Sequence, residues 1–419
     1  MRKFESLHNQ MVIGGVTAKE LAERFGTPLY VTDEIAVREN FKRIQQAFSC
    51  HMPANIHYAC KANSNLAILR ILEREGSCID AVSIWEVESC LMAGFKPNKI
   101  LFTGVSVSDE EMKALVGRGV TINIDSPSQL IRLSKIGTDI PISVRVNPDV
   151  GAGHHEHVVT GSKMAKFGIP KGEVVRIYSE ALGLGLRPVG LHAHIGAGVQ
   201  DVAPFVQVTE VLVSIARELE TSLGLVLEFL DIGGGIGIPY RPEDKEMDVG
   251  LLAREVTSLI KSGCSAKSVA VEPGRYIVAD TTVLLTKVVD VKETPDRRFV
   301  GVDAGFNTLI RPSFYGSYHH VAVANKSGMP GEITYDVVGP ICESGDFLAR
   351  DRMLPRVAEG DIVAVYDAGA YGFTMSSQYN SRPRCAEVLV KDGNASIIRD
   401  RESLDDILRH QRMPSRLMV

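Results

Sequence analysis

Short apolar runs alternate with amphipathic helical windows from about residue 56 to about residue 280. Ile56–Cys60, Ile79–Val82, Ile100–Thr103, Thr121–Ile124, Ile142–Val146, Val189–His194, Leu227–Ile232 and Ser268–Glu272 read as strands. Between them Ile84–Ala93, Asp109–Gly117, Pro127–Lys135, Glu173–Leu182, Ala203–Glu220 and Leu251–Ser262 carry helical spacing. Eight strands alternating with helices predict an α/β fold, a parallel (β/α)8 barrel. An open doubly wound sheet alternates in the same way, and the count alone does not separate the two. Ahead of this region, Gly14-Gly15 marks a turn. Thr17 to Phe25 reads as a short helix capped by Thr17 and closed by Gly26, and Pro28–Thr32 as a strand. After about residue 280 the helices stop. Thr282–Val291, Arg298–Val302, Val321–Val323, Ile333–Val338, Ile362–Tyr366 and Ala386–Lys391 predict a separate β domain, sandwich or barrel, with Ser403–Arg412 as a terminal helix.

Composition narrows the classes without choosing among enzymes. The 419 residues suffice for two domains, and the net charge of −5 is scattered. The absence of a basic stripe speaks against nucleic acid as a partner. No run reaches membrane-spanning length, and Met1–Glu5 is followed by no apolar signal core, which predicts a cytoplasmic chain. The cysteines Cys50, Cys60, Cys78, Cys90, Cys264, Cys342 and Cys385 form no C-x-x-C pair, so most are expected to be reduced core residues. His154, His155 and His157 lie in a Gly-rich loop without the spacing of a helical metal site, so no metal is expected. That loop, Asp149–Ser162, is expected to lie near the site mouth and to move in the absence of substrate.

The polar residues at the strand ends carry the chemistry. Lys61 stands where strand one stops, among apolar neighbours that would lower its pKa and make it an amine nucleophile. Asp80 lies in strand two, and His192 and His194 close strand six. Strand seven runs into Asp231-Ile232-Gly233-Gly234-Gly235-Ile236-Gly237, and strand eight into Glu272-Pro273-Gly274-Arg275. In a barrel these ends share one face, and a glycine turn after strand seven beside an arginine after strand eight is a usual phosphate site. An amine, a phosphate cradle, a carboxylate for a ring nitrogen and an imidazole are the parts that pyridoxal 5'-phosphate (PLP) needs. Taken singly, Lys61 also reads as a surface lysine, Glu272 as a salt-bridge partner of Arg275, and His194 as a core histidine.

Ten motifs then carry a resemblance through nearly the whole chain: YACKAN from Tyr58, VNP from Val146, KFGI from Lys166, HAHIG from His192, DIGGGIG from Asp231, EPGR from Glu272, DAGFN from Asp303, RPSFYG from Arg311, GPICESGD from Gly339 and DAGAYG from Asp367. The sequence resembles the fold-type III PLP decarboxylases, and among them the branch that acts on diaminopimelate. The resemblance implies a homodimer with active sites shared across the interface, and a β domain that takes in the N-terminal segment. The implied division is 1–35 with the β domain, 36–280 as the PLP barrel and 281–419 as the β domain. It implies Lys61 as the Schiff-base lysine and His194 as the ring-stacking histidine. Gly235, with Gly233 and Gly234 in the same turn, and the segment Glu272 to Arg275, with Gly274, would bind cofactor; Glu272 would take the pyridine nitrogen and Tyr371 would reach the phosphate. Asp80 matches an acidic position in relatives and is expected to support the lysine–histidine network. Ala197 stands where relatives often carry serine, which removes one phosphate contact from the pattern.

By the same resemblance, Cys342 enters the partner's active site as proton donor and Glu343 binds the distal ammonium of the substrate. Diaminopimelate has a distal carboxylate that ornithine, lysine and arginine lack at that end, and an unpaired buried carboxylate is costly. Arg311 and Tyr315 match the family's substrate contacts and suit that group, with Arg275 as a second guanidinium and Tyr371 nearby. A related ornithine, arginine or lysine decarboxylase, an alanine racemase and a non-catalytic PLP-binding homologue are the alternatives. A racemase would be expected to place arginine, not Glu272, at the ring nitrogen.

Overall fold

The computed structural model describes residues 4–150 and 166–418. The expected moving loop from residue 151 on, with His154, His155 and His157, therefore lies outside the described residues. The chain divides into two compact units, Val37–Pro239 with Glu243–Val278, and Met1–Ala36 with Tyr240–Pro242 and Ala279–Val419.

The first unit is a closed parallel barrel. Its strands in order are Ala54–Ala59, Cys78–Ala81, Ile100–Phe102, Thr121–Ile124, Pro141–Asn147, Arg187–Ala193, Phe229–Asp231 and Ser268–Val271. Each pairs in parallel with the next, and Val269–Val271 pairs with Ala54–Ile56 to close the ring. Closure excludes the open sheet. The helices between the strands begin where short polar side chains cap their first turns: Ser83, Ser108, Ser126 and Asp248 each accept a hydrogen bond from a backbone N–H of the first turn. The helix Glu34–Ser49 was not expected from the sequence, although Val37, Phe41, Ile44 and Phe48 recur at helical spacing and are all buried.

The second unit is mostly sheet. Thr282–Glu293 pairs antiparallel with Leu29–Asp33, which pairs in parallel with Ala386–Lys391. The N-terminal strand Leu29–Asp33 thus lies inside the sheet of the C-terminal region. Thr282–Glu293 also pairs with Arg298–Val302 and Ile362–Val365, and the sheet continues through Ile333–Val338 to Phe347–Leu354. An apolar cluster that includes Val300, Val302, Val337, Leu348, Val363 and Val365 fills its interior. The terminal helix is shorter than expected, Leu404–Leu408. Ser403 and Asp406 form its capping box, but none of its residues is buried, and a helix without a packed face does not propagate far. Among the described residues, no helix is long and apolar enough to cross a membrane.

Candidate active site

Strand alternation sends every second side chain into the barrel, and in this chain many of those positions are polar. Asp80, Asn123, Ser143, Arg145, His192, Asp231 and Glu272 are all buried. Each charge removed from water needs a partner, and the network supplies most of them.

Lys61 follows the first strand in a short 3-10 turn, Cys60–Ala62, between buried Cys60 and Ala62. Its Nζ lies 2.5 Å from Asp80 Oδ2. Its neighbours along the chain are apolar, as expected, and the charge beside it is the Asp80 carboxylate. Thr103 donates its hydroxyl to the other Asp80 oxygen. Burial alone would raise the Asp80 carboxyl, but the Lys61 ammonium and the Lys61 and Thr103 hydrogen bonds hold it below the usual carboxylate value. Asp80 therefore stays ionised beside the amine.

Glu272 ends strand eight and is 4 % exposed. Burial, followed by the Asp80 charge, pushes its carboxyl above the ordinary value, and His192 opposes the shift. His192 Nε2 lies 3.2 Å from Glu272 Oε1. The two atoms are not aligned for a hydrogen bond, and Oε1 is a buried acceptor short of a donor. Behind the imidazole, Ser143 Oγ donates to Asn123 Oδ1 at 2.5 Å, which turns the Asn123 amide N–H toward His192 Nδ1 at 3.2 Å. Nδ1 then accepts, so the ring proton rests on Nε2, facing Glu272. Asn123 and Ser143 were not singled out from the sequence. Their signal is a polar side chain at alternate positions of otherwise apolar strands.

Asp231 fixes the glycine turn. Its Oδ1 accepts from Gly233 N at 2.8 Å, and its Oδ2 lies 2.9 Å from His57 Nδ1. Gly233 and Gly235 have φ of +75° and +96°, where a side chain is strained. A Cβ on Gly234 would run into the Glu272 carbonyl, and one on Gly235 into the Gly196 carbonyl. The turn is thus wedged between the ends of strands six and eight. Glu272 N donates to Gly233 O and Val199 N to Gly235 O, each at 2.9 Å. His192, Asp231 and Glu272 each bring one atom within 4.8 Å of the others, a spacing that would also suit a metal; Asn123, His57 and Gly233 already engage two of the three.

His194 stands half-buried at the end of strand six, next to the glycine turn. Burial, then the positive charges of Arg145 and Lys61, hold its imidazole well below the usual histidine value. A neutral ring suits stacking on an aromatic plane better than an imidazolium that must keep its own hydration. Arg275 follows Glu272 and is buried, and Gly274 packs against Ala59 and Ala62 beside Lys61. Lys61, Asp80, His194, the glycine turn, Glu272, Gly274 and Arg275 therefore belong to one unit, grouped around the C-terminal ends of its strands. A carbonyl-reactive amine, a turn without side chains at Gly233–Gly235, and a buried carboxylate with a free acceptor fit a group with an aldehyde, a phosphate and a ring N–H.

Arg311, Tyr315, Cys342, Glu343 and Tyr371 lie in the sheet unit. Arg311 opens the short helix Arg311–Tyr315 and is 2 % exposed. Cys342 and Glu343 are exposed on a loop pinned by Asp346, which accepts from Phe306 N at 2.6 Å and Ile341 N at 2.7 Å. The DAGFN and GPICESGD motifs thus meet through one carboxylate. Glu343 Oε1 accepts from the Tyr379 hydroxyl at 2.5 Å, and Asn380 Nδ2 lies 3.4 Å from Cys342 Sγ. Tyr371 sits at φ +58°, in the left-handed region.

Residues 34–279 match the family described as "Pyridoxal-dependent decarboxylase, pyridoxal binding domain". A diaminopimelate decarboxylase of Methanothermobacter thermautotrophicus is 52% identical over 415 residues, covering 97% of each chain. One of Archaeoglobus fulgidus is 45% identical over 424 residues, covering 99% of this chain and 100% of that one. The crystal structure of diaminopimelate decarboxylase from M. jannaschii in co-complex with L-lysine aligns with a TM-score of 0.93 at 34% identity, covering 99% of this chain and 98% of that one. On the barrel, the motifs and these likenesses together, the chain belongs to the diaminopimelate decarboxylase family of pyridoxal-dependent decarboxylases.

Proposed function

We propose that this chain converts meso-2,6-diaminopimelate to L-lysine and carbon dioxide with PLP as cofactor, as a cytoplasmic enzyme closing lysine biosynthesis. The observation that carries the substrate assignment is Arg311. Its guanidinium is buried, its hydrogen-bond partners are the neutral Tyr240, His319 and Ser317, and among the described residues no carboxylate pairs with it. The buried Asp367 carboxylate is near enough to feel the Arg311 charge but makes no ion pair with it, so the guanidinium is only partly compensated, and a buried cation that lacks a paired carboxylate is costly. A distal substrate carboxylate would offset that cost, whereas the simple cation of ornithine or lysine would add to it.

Lys61 would hold the cofactor aldehyde, and the ionised Asp80, at 2.5 Å, would orient its amine and balance its charge. Glu272 would hold the ring nitrogen, with the His192 imidazole beside its Oε1. His194 would cover the ring face. The backbone N–H groups of Gly233, Gly234 and Gly235, with Gly274, Arg275 and Tyr371, would hold the phosphate. Bound PLP supplies an electron sink for the pair left when carbon dioxide departs. Arg311, Tyr315 and Arg275 would grip the distal group and thereby orient the reacting end of the substrate. We propose that a second copy of the chain completes each site, its Glu343 taking the distal ammonium and its Cys342 delivering a proton to the carbon that lost carbon dioxide.

Two measurements test this. Reduction of the PLP-loaded protein with borohydride, followed by peptide mapping, should place the pyridoxyl group on Lys61; another lysine would refute the cofactor assignment. Mixing Lys61→Ala chains with Cys342→Ala chains, each inactive alone, should restore roughly a quarter of wild-type activity, because half the dimers then hold one intact site of two. No recovery on mixing would refute the shared site.

A further inference from the structure

The hydrogen bonds around Arg311 fix more than its position. Nη1 donates to the Tyr240 hydroxyl at 3.0 Å and contacts His319 Nε2 at 3.2 Å, while Nη2 donates to Ser317 Oγ at 3.4 Å. The Tyr240 ring lies 5.1 Å from the guanidinium carbon. His319 is fully buried, edge-on to the Tyr240 ring at 5.7 Å. Its Nδ1 is 2.8 Å from the carbonyl oxygen of Tyr366. A carbonyl only accepts and a guanidinium only donates. His319 must therefore carry its proton on Nδ1 and present a bare Nε2 to Arg311. Both neighbours impose the same tautomer. The Tyr366 backbone is anchored next to that carbonyl, where Tyr366 N donates to His320 O at 2.9 Å.

A guanidinium has five N–H groups. The three contacts engage both on Nη1 and one on Nη2. Among the described residues none accepts from Nε–H, and the edge formed by Nε and Nη2 is the one that takes a carboxylate in two hydrogen bonds. A single-bond rotation of the side chain would spoil that presentation, and the acceptor that prevents it most rigidly is His319, because a buried ring bonded at both nitrogens has no alternative rotamer.

We propose that His319 is a positioning residue for substrate specificity: it orients Arg311 so that the Nε/Nη2 edge meets the distal α-carboxylate of the substrate. The proposal rests on the function proposed above and adds to it a residue outside the site's first contacts. It acts through Arg311, so it governs binding of ligands that carry the distal α-amino-carboxylate and leaves others alone. L-lysine retains that group after the reaction. Cadaverine has only the ammonium.

The test uses PLP-loaded His319→Asn, His319→Gln, His319→Leu and Arg311→Met, with thermal melting and PLP absorbance to establish that each is folded and loaded. Asparagine can replace the bond to the Tyr366 carbonyl but is too short to reach Arg311. Glutamine places an acceptor at the reach of Nε2. His319→Asn and His319→Leu should raise KM for meso-diaminopimelate and Ki for L-lysine about tenfold or more, the usual effect of losing a hydrogen bond to a charged group. Their kcat should change less than threefold and Ki for cadaverine should not move. His319→Gln should recover most of the loss. If Arg311→Met weakens L-lysine while His319→Asn and His319→Leu bind it as the wild type does, the positioning role is wrong and the substrate reading stands. If all three His319 variants lose L-lysine and cadaverine alike, the residue is merely structural and the proposal fails. If Arg311→Met itself leaves L-lysine binding unchanged, both the proposal and the substrate reading fall.

Discussion

Alternate strand positions in the barrel place Asp80, Asn123, Ser143, His192, Asp231 and Glu272 inside, whereas the interior of the sheet unit is made of Val300, Val302, Val337, Leu348, Val363 and Val365. Both regions are equally hidden from water. The sheet interior is stabilised by apolar burial, at about 25 cal/mol per Å². The barrel interior gains little from that term and instead needs its polar atoms paired, as Asp80 is by Lys61 and Thr103. At Glu272 Oε1 the pairing is incomplete, and a donor on a bound group would relieve the cost. In one region the inward face holds the fold together; in the other it is held in readiness for chemistry.

Substitutions should separate the two. Lys61→Ala should lower turnover on the order of a thousandfold or more, as loss of a covalent nucleophile does, with the fold retained but Tm lowered because the buried Asp80 loses its counter-charge. Carbon dioxide release and circular dichroism check this. Glu272→Gln should lower kcat about a hundredfold, the scale of losing one electrostatic partner at a reacting centre. The same change should stabilise the protein without cofactor. The folded carboxyl is raised above its unfolded value, so its ionisation costs stability as pH rises through the interval between them, and the cost is full at pH values above the raised one. Relief of about 1 kcal/mol would raise Tm by roughly 2–4 °C. A lower Tm for the cofactor-free Glu272→Gln protein would contradict the comparison.

Leu348→Ala should do the reverse. It should cost about 2–5 kcal/mol by denaturant melting and leave kcat per folded, PLP-loaded molecule unchanged. Asp80→Asn sharpens the contrast within the barrel. The folded Asp80 carboxyl lies below its unfolded value, so its stabilising contribution is complete at neutral pH and disappears as pH falls below about 4 and through the depressed value. The Tm gap between wild type and Asp80→Asn should be widest near pH 7 and close in acid. A gap that is constant with pH would mean that the Lys61–Asp80 contact does not stabilise the fold.

The barrel was the most legible part of the chain, because a parallel strand buried on both sides is a compact apolar run with little ambiguity. All eight runs coincide with observed strands to within two or three residues at the ends. The strand Phe347–Leu354 was missed because Arg350, Asp351 and Arg352 interrupt its alternation, and Asp351 has φ +53° at an irregularity in the pairing. The chemistry at strand ends was readable since it rests on one residue after one apolar run, as with Lys61 or Glu272. The partners were not. Asp80's contact with Lys61, the Ser143–Asn123–His192 chain behind Glu272 and the His319 brace on Arg311 each join residues from separate elements, and nothing local in the sequence announces which ones meet.

The most direct test of the central claim is carbon dioxide release by the PLP-loaded protein from meso-diaminopimelate, with L-ornithine, L-lysine and L-arginine measured in parallel, for wild type and Arg311→Met. Release from meso-diaminopimelate alone, with kcat/KM falling about tenfold or more in Arg311→Met, is the predicted result. Comparable release from ornithine or lysine, or an Arg311→Met enzyme as efficient as wild type, would contradict it.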